Sequence, residues 1–251
     1  MSRPDGEPVN LPVESVATDP GLPDEPVVVV RRPVPAWRRR TQGEARLPVA
    51  LAIATAIALQ ALLPDRLGIH PAWLLPGLES ALLVGLTLFN PVRMRRDHVV
   101  ARWGSRTLIA LMTVATVVSA VLLIHDILTG KGSNDPTALF GSGAAIYVTN
   151  VVAFALWYWE FDRGGPFARA AGERPHPDFL FPQMASPEVT HPDWEPYFVD
   201  YLYVSFTNAT AFSPTDTMPM SRWAKGLMAI QSAVALSTLA LVVSRAVNIL
   251  R

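Results

Sequence analysis

The stretch TLIALMTVATVVSAVLLIHDIL, residues 107–128, decides the fold, because it is nearly all apolar and long enough for a helix to cross a hydrocarbon core. Four further apolar runs flank it, at 47–63, 73–89, 138–159 and 226–249. Each approaches the roughly 20 residues that a crossing needs, the first being the shortest in effect. Half of the 251 residues are apolar, and their clustering into blocks predicts an all-α, polytopic transmembrane helix bundle. The reading is of five spans plus one short or re-entrant helix.

Working outward, the connections between the runs carry unequal charge. Residues 31–46 hold six Arg against Glu44, and 91–106 holds Arg93, Arg95, Arg96, Arg102 and Arg106 against Asp97. The alternate connections hold only Arg66 and Lys131. Since loops that stay in the cytoplasm retain Lys and Arg, this pattern predicts a multi-pass protein of the cell membrane, the bacterial inner membrane, with a cytoplasmic N-terminus. Formal net charge is zero, so bulk charge points to no nucleic acid. The lipid bilayer is the expected partner, with a second copy of the chain and a small cation as candidates. Cysteine is absent, which excludes disulfides, thiolate zinc sites and iron–sulfur clusters.

Four regions follow. Residues 1–45 contain eight prolines and turn from acidic to basic at RRPVPAWRRR, which reads as a disordered cytoplasmic tail with Trp37 as an interfacial anchor. Residues 46–163 form a four-helix membrane region closing with WYWEFDRGGP, where Trp157, Tyr158 and Trp159 suggest an aromatic girdle and Glu160, Asp162 and Arg163 a step into water. Residues 164–195 are proline-rich, too broken for a helix, and are expected along the cytoplasmic face with Phe179, Leu180, Phe181 and Met184 tucked beneath the bundle. Residues 196–251 read as a helix–loop–helix element resembling a pore.

Polar residues inside the apolar blocks are the functional candidates. Glu79 is the most informative, as an ionisable group at membrane depth faces a bundle interior or water. It is a candidate proton or cation site; the plainer alternative has it snorkelling outward or bonding Ser80 or Thr87. Asn150 and Gln231 read as interhelical hydrogen-bond partners, and Gly141, Gly143 and Ala145 as a close-packing face. His176, Asp178, His191 and Asp193 suit several divalent ions, but each His precedes Pro in an ordinary turn arrangement. There is no serine elbow, glycine-rich phosphate loop or pair of carboxylates at helical spacing, so no catalytic residue, cofactor or enzyme activity is assigned.

The segment YVSFTNATAFSPTDTMP, residues 203–219, follows a predicted helix that opens at Pro196 and carries Asp200, Ser205, Thr207, Asn208 and Thr210. It is more polar than a lipid-exposed helix tolerates, so protein or water must shield it. Thr207, Asn208, Thr210, Ser213 and Asp216, with Glu79, are the candidates for a polar path. The segment resembles the pore module of potassium channels in its threonines and in the Asp216-to-Pro219 spacing. It departs from that module at the filter, where Ser213, Pro214 and Thr215 replace glycine-tyrosine-glycine and proline cannot supply the carbonyl ladder. Over 47–251 the chain also resembles a family of uncharacterised bacterial multi-pass membrane proteins that share DFLFP, WEPYFVDYLYVSFT, SPTD and VNIL in this order. That resemblance implies a fold and no activity. A re-entrant loop would give five spans, and a full crossing six. Arg222 and Lys225 favour five, Arg245 and Arg251 favour six, and the length of 196–213, just enough to cross, tips the reading to six.

Overall fold

In the computed structural model, residues 34–89, 99–131, 135–210 and 216–249 are described. The chain divides into an N-terminal segment, Met1–Pro35, and a compact body, Ala36–Arg251. Among the described residues the body consists of helices joined by turns and loops, with one two-residue ladder.

Five helices follow one another in alternating directions: α1 (Leu47–Ala61), α2 (Leu74–Phe89), α3 (Val99–Thr129), α4 (Pro136–Phe161) and α8 (Arg222–Ile249). Their ends are set by local chemistry. Pro48 occupies the first turn of α1, where its missing N–H costs nothing. The Asp135 side chain caps α4 by accepting the Thr137 N–H at 2.9 Å, and Pro136 follows it. Ser221 Oγ accepts the Ala224 N–H at the start of α8. We call the end of the body where α4 finishes its base, and the opposite end its top.

Among the described residues, three helices are long and apolar enough to cross a membrane: α3, the run from Pro136 to Ala171 that contains α4, and α8. The expectation of five full spans is therefore met by three. With 15 and 16 residues, α1 and α2 rise about 22 and 24 Å, short of a core about 30 Å thick. The turn residues Leu62 and Trp73, counted with the apolar runs in the sequence, lie outside both helices.

Residues 164–195 are more ordered than their prolines suggest. They contain α5 (Pro166–Ala171), β1 (Phe179–Leu180) and α6 (Pro182–Ala185), with proline at the start of both helices and Gly172 in the left-handed conformation (φ 67°) ending α5. Phe179, Phe181 and Met184 are buried in the main core, against Tyr158 and Tyr201.

The course of α7 (Phe198–Thr210) overturns the reading of a full crossing. It starts at the base, where the Phe198 N–H donates to Glu44, and runs antiparallel to α4 and alongside α8. Its Asn208 carbonyl accepts from Ser232, part-way up α8. Thirteen residues rise only about 20 Å. Then β2 (Met218–Pro219) pairs antiparallel with β1, and the Met220 N–H donates to the Asp178 carbonyl at 2.7 Å. Both ends of this element thus lie at the base, and α8 departs from there. Segment length alone could not reveal this, because the return is fixed by pairing with residues some 40 positions earlier.

Candidate functional site

The seam between α4, α7 and α8 is closed by a buried polar network. Tyr158 donates its hydroxyl to Gln231 Oε1 at 2.6 Å, and Asn208 Nδ2 donates to the same oxygen at 2.8 Å and to the Met228 carbonyl at 3.0 Å. Gln231 Nε2 donates to Ser205 Oγ (2.7 Å) and to the Ser205 carbonyl (2.9 Å), while Ser205 Oγ donates to the Val151 carbonyl at 2.6 Å. Tyr158, Ser205, Asn208 and Gln231 are each hydrogen-bonded within this chain of contacts. A network so completed holds α7 in one position, whereas the same groups left unpaired would each cost about 1–3 kcal/mol.

A second cluster anchors α7 at the base. Asp162, fully buried at the end of α4, accepts the Asp178 and Phe179 N–H groups through Oδ1 (2.8 and 3.2 Å) and the Tyr201 hydroxyl through Oδ2 at 2.6 Å. Next to it Arg163 has φ 52°, a left-handed backbone uncommon for a side chain of its size. Its guanidinium donates to the Trp37 and Arg174 carbonyls, and its N–H donates to Asp178 Oδ2 at 3.0 Å. Arg169 donates to the Trp159 and Asp162 carbonyls at 2.6 and 3.0 Å and stacks over Tyr201. Asp178 Oδ1 accepts from the Trp223 indole at 2.9 Å, which joins the cluster to the start of α8. Glu160 pairs with Arg106 (3.3 Å) and Ser105 (3.2 Å) of α3.

This cluster corrects three expectations. Glu160, Asp162 and Arg163 do not step into water but are buried, since each finds donors, acceptors or countercharge within the protein. Tyr158 and Trp159 are core residues rather than an interfacial girdle, and Trp157 donates to Thr113 Oγ1 at 2.9 Å. Trp37 is no free anchor: it lies buried under the Arg163 guanidinium, and residues 36–45, assigned to the tail, form a strap across the base. The strap is fixed by the Thr41 N–H on the Ala170 carbonyl and by Glu44, whose carboxylate takes the Trp159 indole at 2.6 Å and the Phe198 N–H. Residues 1–33 lie outside the described residues.

Among the described residues the candidates for a polar path are not brought together within one chain. Thr207 and Thr210 donate their hydroxyls to carbonyls of α7 itself, at 2.9–3.1 Å. Asn208 faces the opposite way, into the network. Asp216 is exposed at the base, and Ser213 lies outside the described residues. Glu79 belongs to α2, which packs on α1 and α3, whereas α7 packs mainly on α4 and α8. Thus Glu79 and Asn208 do not join Thr210 and Asp216 along a common lumen.

Other candidates also find their places. Gln231 joins helices as expected, but the Asn150 amide is buried without a hydrogen-bond partner. Of the small residues, Gly143 meets Val242 of α8, whereas Gly141 faces open space. Among the described residues no group of three or more His, Asp or Glu is placed to hold a metal, and Asp178 is already engaged by Arg163 and Trp223. Sequence reasoning missed Glu44, Asp162, Arg163, Arg169 and Tyr201, because charges beside an apolar run are ordinarily solvated. The adjacent glycines Gly164 and Gly165, both at positive φ, were the available signal of a tight, protein-bound turn.

Compared with protein-family models, with curated proteins and with solved structures, the chain matches none.

Proposed function

We propose that this chain is an integral membrane protein that crosses the bilayer five times, the short α1 and α2 being accommodated by local thinning of the bilayer, with its base and N-terminus cytoplasmic, and that several copies assemble around a shared polar path for a small cation. The observation that carries the reading is the half-length α7. It ends at Thr210, level with Ser232 in the middle of α8, and leaves Tyr203, Phe206 and Thr210 exposed. Backbone that leaves a helix at membrane depth needs protein or water against it, never lipid. A second copy around a symmetry axis supplies that cover, with Thr210 and Asp216 turned toward the shared space.

Membrane placement is supported by the distribution of side chains. Ile230, Leu236, Leu239, Val243 and Val247 of α8 face outward while Gln231 and Thr238 are buried, the reverse of a water-soluble helix. The basic residues Arg38, Arg39, Arg40, Arg46, Arg102, Arg106, Arg163, Arg169, Arg174, Arg222 and Lys225 gather toward the base, which supports its cytoplasmic placement. Potassium selectivity is no part of the proposal, given Pro214 in the filter position.

The test is the mass of the detergent-solubilised particle together with cation flux into liposomes. A symmetric oligomer whose flux falls when Asp216→Ala or Thr210→Val is introduced is the expected result; a strict monomer would sink the shared path. A structural or regulatory protein without transport is the second reading. It is favoured by the threonine hydroxyls bonded to their own helix and by Asn208 held in the network. Under it, liposomes show no flux and deletion of residues 1–30 abolishes the cellular phenotype.

A further inference from the structure

Glu79 has no solvent-exposed surface, and its carboxyl oxygens lie 3.1 and 3.3 Å from one terminal atom of the Gln60 side-chain amide on α1. The nitrogen and oxygen of an amide are nearly identical in shape, so this contact has two self-consistent forms. Either an ionised Glu79 accepts from the Gln60 NH2, or a neutral Glu79 donates its O–H to the Gln60 oxygen. The ionised form buries a charge against apolar helices with only an amide to offset it. The neutral form buries no charge and gives the Glu79 O–H an acceptor, although it is the other orientation, with the NH2 toward Glu79, that pairs both ends of the Gln60 amide.

The surroundings separate these forms. Neither α1 nor α2 carries another ionisable side chain. In the adjoining connection, Arg66 is held by Asp126 at 3.4 Å, and His70 is exposed. In α3, Arg106 is paired with Glu160 and, like Arg102, sits toward the base, while His125 lies in the last turns at the top. A cavity of about 40 Å³, room for about three waters, ends on Gln60 and is lined by Asp65, Gly68, Pro76 and Ser119 near the top. Asp65 at this cavity offers acceptors to water. Two carboxylate oxygens and one amide oxygen are too few ligands for a dehydrated divalent cation, which takes about six or more.

We propose that Glu79 and Gln60 form a proton-binding site, loaded through this cavity from the α1–α2 connection. On loading, a proton carried into the cavity as hydronium reaches the Glu79 carboxylate past the Gln60 amide, which lines the cavity and turns over so that its oxygen accepts, and neutral water is left behind; release reverses these steps, and nothing is oxidised or reduced. The site lies apart from α7, so it stands whether or not α7 lines a conducting path.

Infrared spectra of the full chain in lipid nanodiscs, recorded over a pH series in H2O and D2O, test it without reference to flux. Wild type is expected to show a protonated-carboxyl band at neutral pH that Glu79→Gln removes and Gln60→Leu shifts. As an isostere of the loaded form, Glu79→Gln should also keep its thermal stability. Carboxyl bands identical in wild type and Glu79→Gln at every pH would overturn the proposal. So would a band removed at fixed pH by Na⁺ or K⁺, which would make this a cation site. Should Glu79→Gln not fold, the wild-type and Gln60→Leu spectra carry the same comparison, and identical bands there overturn the proposal equally.

Discussion

The carboxylate of Glu44, which precedes α1, accepts the backbone N–H of Phe198, the first residue of α7, so a strap near the start of the chain caps the helix that turns back inside the body. The same carboxylate takes the Trp159 indole at the end of α4. One side chain therefore fixes the relative position of three elements at the base.

Replacing Glu44 by Ala leaves two buried donors without an acceptor and removes a helix cap. A loss of about 2–3 kcal/mol is expected. Thermal unfolding in detergent checks the magnitude, and amide exchange checks the place, since α7 should exchange faster while α3 does not.

Glu44 also gives stability a pH dependence of definite sign. Burial pushes its carboxyl above the ordinary 4.5, against the opposing pull of the Phe198 N–H, the Trp159 indole and Arg169. The folded state then binds more protons than the unfolded one just above pH 4.5. This contribution is fully present below 4.5 and is lost as pH rises through the raised value. The melting temperature of wild type minus that of Glu44→Gln should accordingly shrink with rising pH, and a difference that grows would contradict the assignment.

Within the seam, Gln231→Leu strips the acceptor from Tyr158 and Asn208 and should cost about 2 kcal/mol. Because Tyr158→Phe deletes one of the donors so orphaned, the double variant should lose less than the sum of the two single losses. Additive losses, measured by reversible denaturation in mixed micelles, would show that the groups do not act as a network.

At the crossing of α4 and α8, a Cβ on Gly143 would sit 2.9 Å from one methyl of Val242 and 3.0 Å from the other. The stiff β-branched side chain cannot swing away. Gly143→Ala is expected to destabilise by about 1–3 kcal/mol, and Val242→Ala in the same chain should restore part of it. Gly141→Ala, facing open space, serves as the neutral control.

The legibility of this protein in its sequence was uneven for physical reasons. The apolar runs announce helices because burial in any apolar medium demands satisfied backbone, whereas Pro166 and Pro182, which open α5 and α6, read only as breaks because nothing local distinguishes a proline at a helix start from one in a loop. Gln231 was recognisable as an interhelical partner from its position in an apolar helix, but its partners were not, because Tyr158 and Asn208 lie 73 and 23 positions away. The tail boundary at 45 failed for a similar reason: a proline-rich basic segment reads as solvated until Arg163, Ala170 and Phe198 are brought against it.

What the sequence by itself determined is that the chain is a bundle of apolar helices with one polar, interrupted element before the last. Only the tertiary structure decided that this element returns to the end it started from, and that Glu44, Asp162 and Arg163 are interior groups rather than solvated ones. The physical reason is that helix formation and amphipathic patterning depend on neighbours within a few residues. The direction of α7 and the burial of a charge depend on partners that only long-range packing supplies, such as Glu44 with Phe198 and Asp162 with Tyr201.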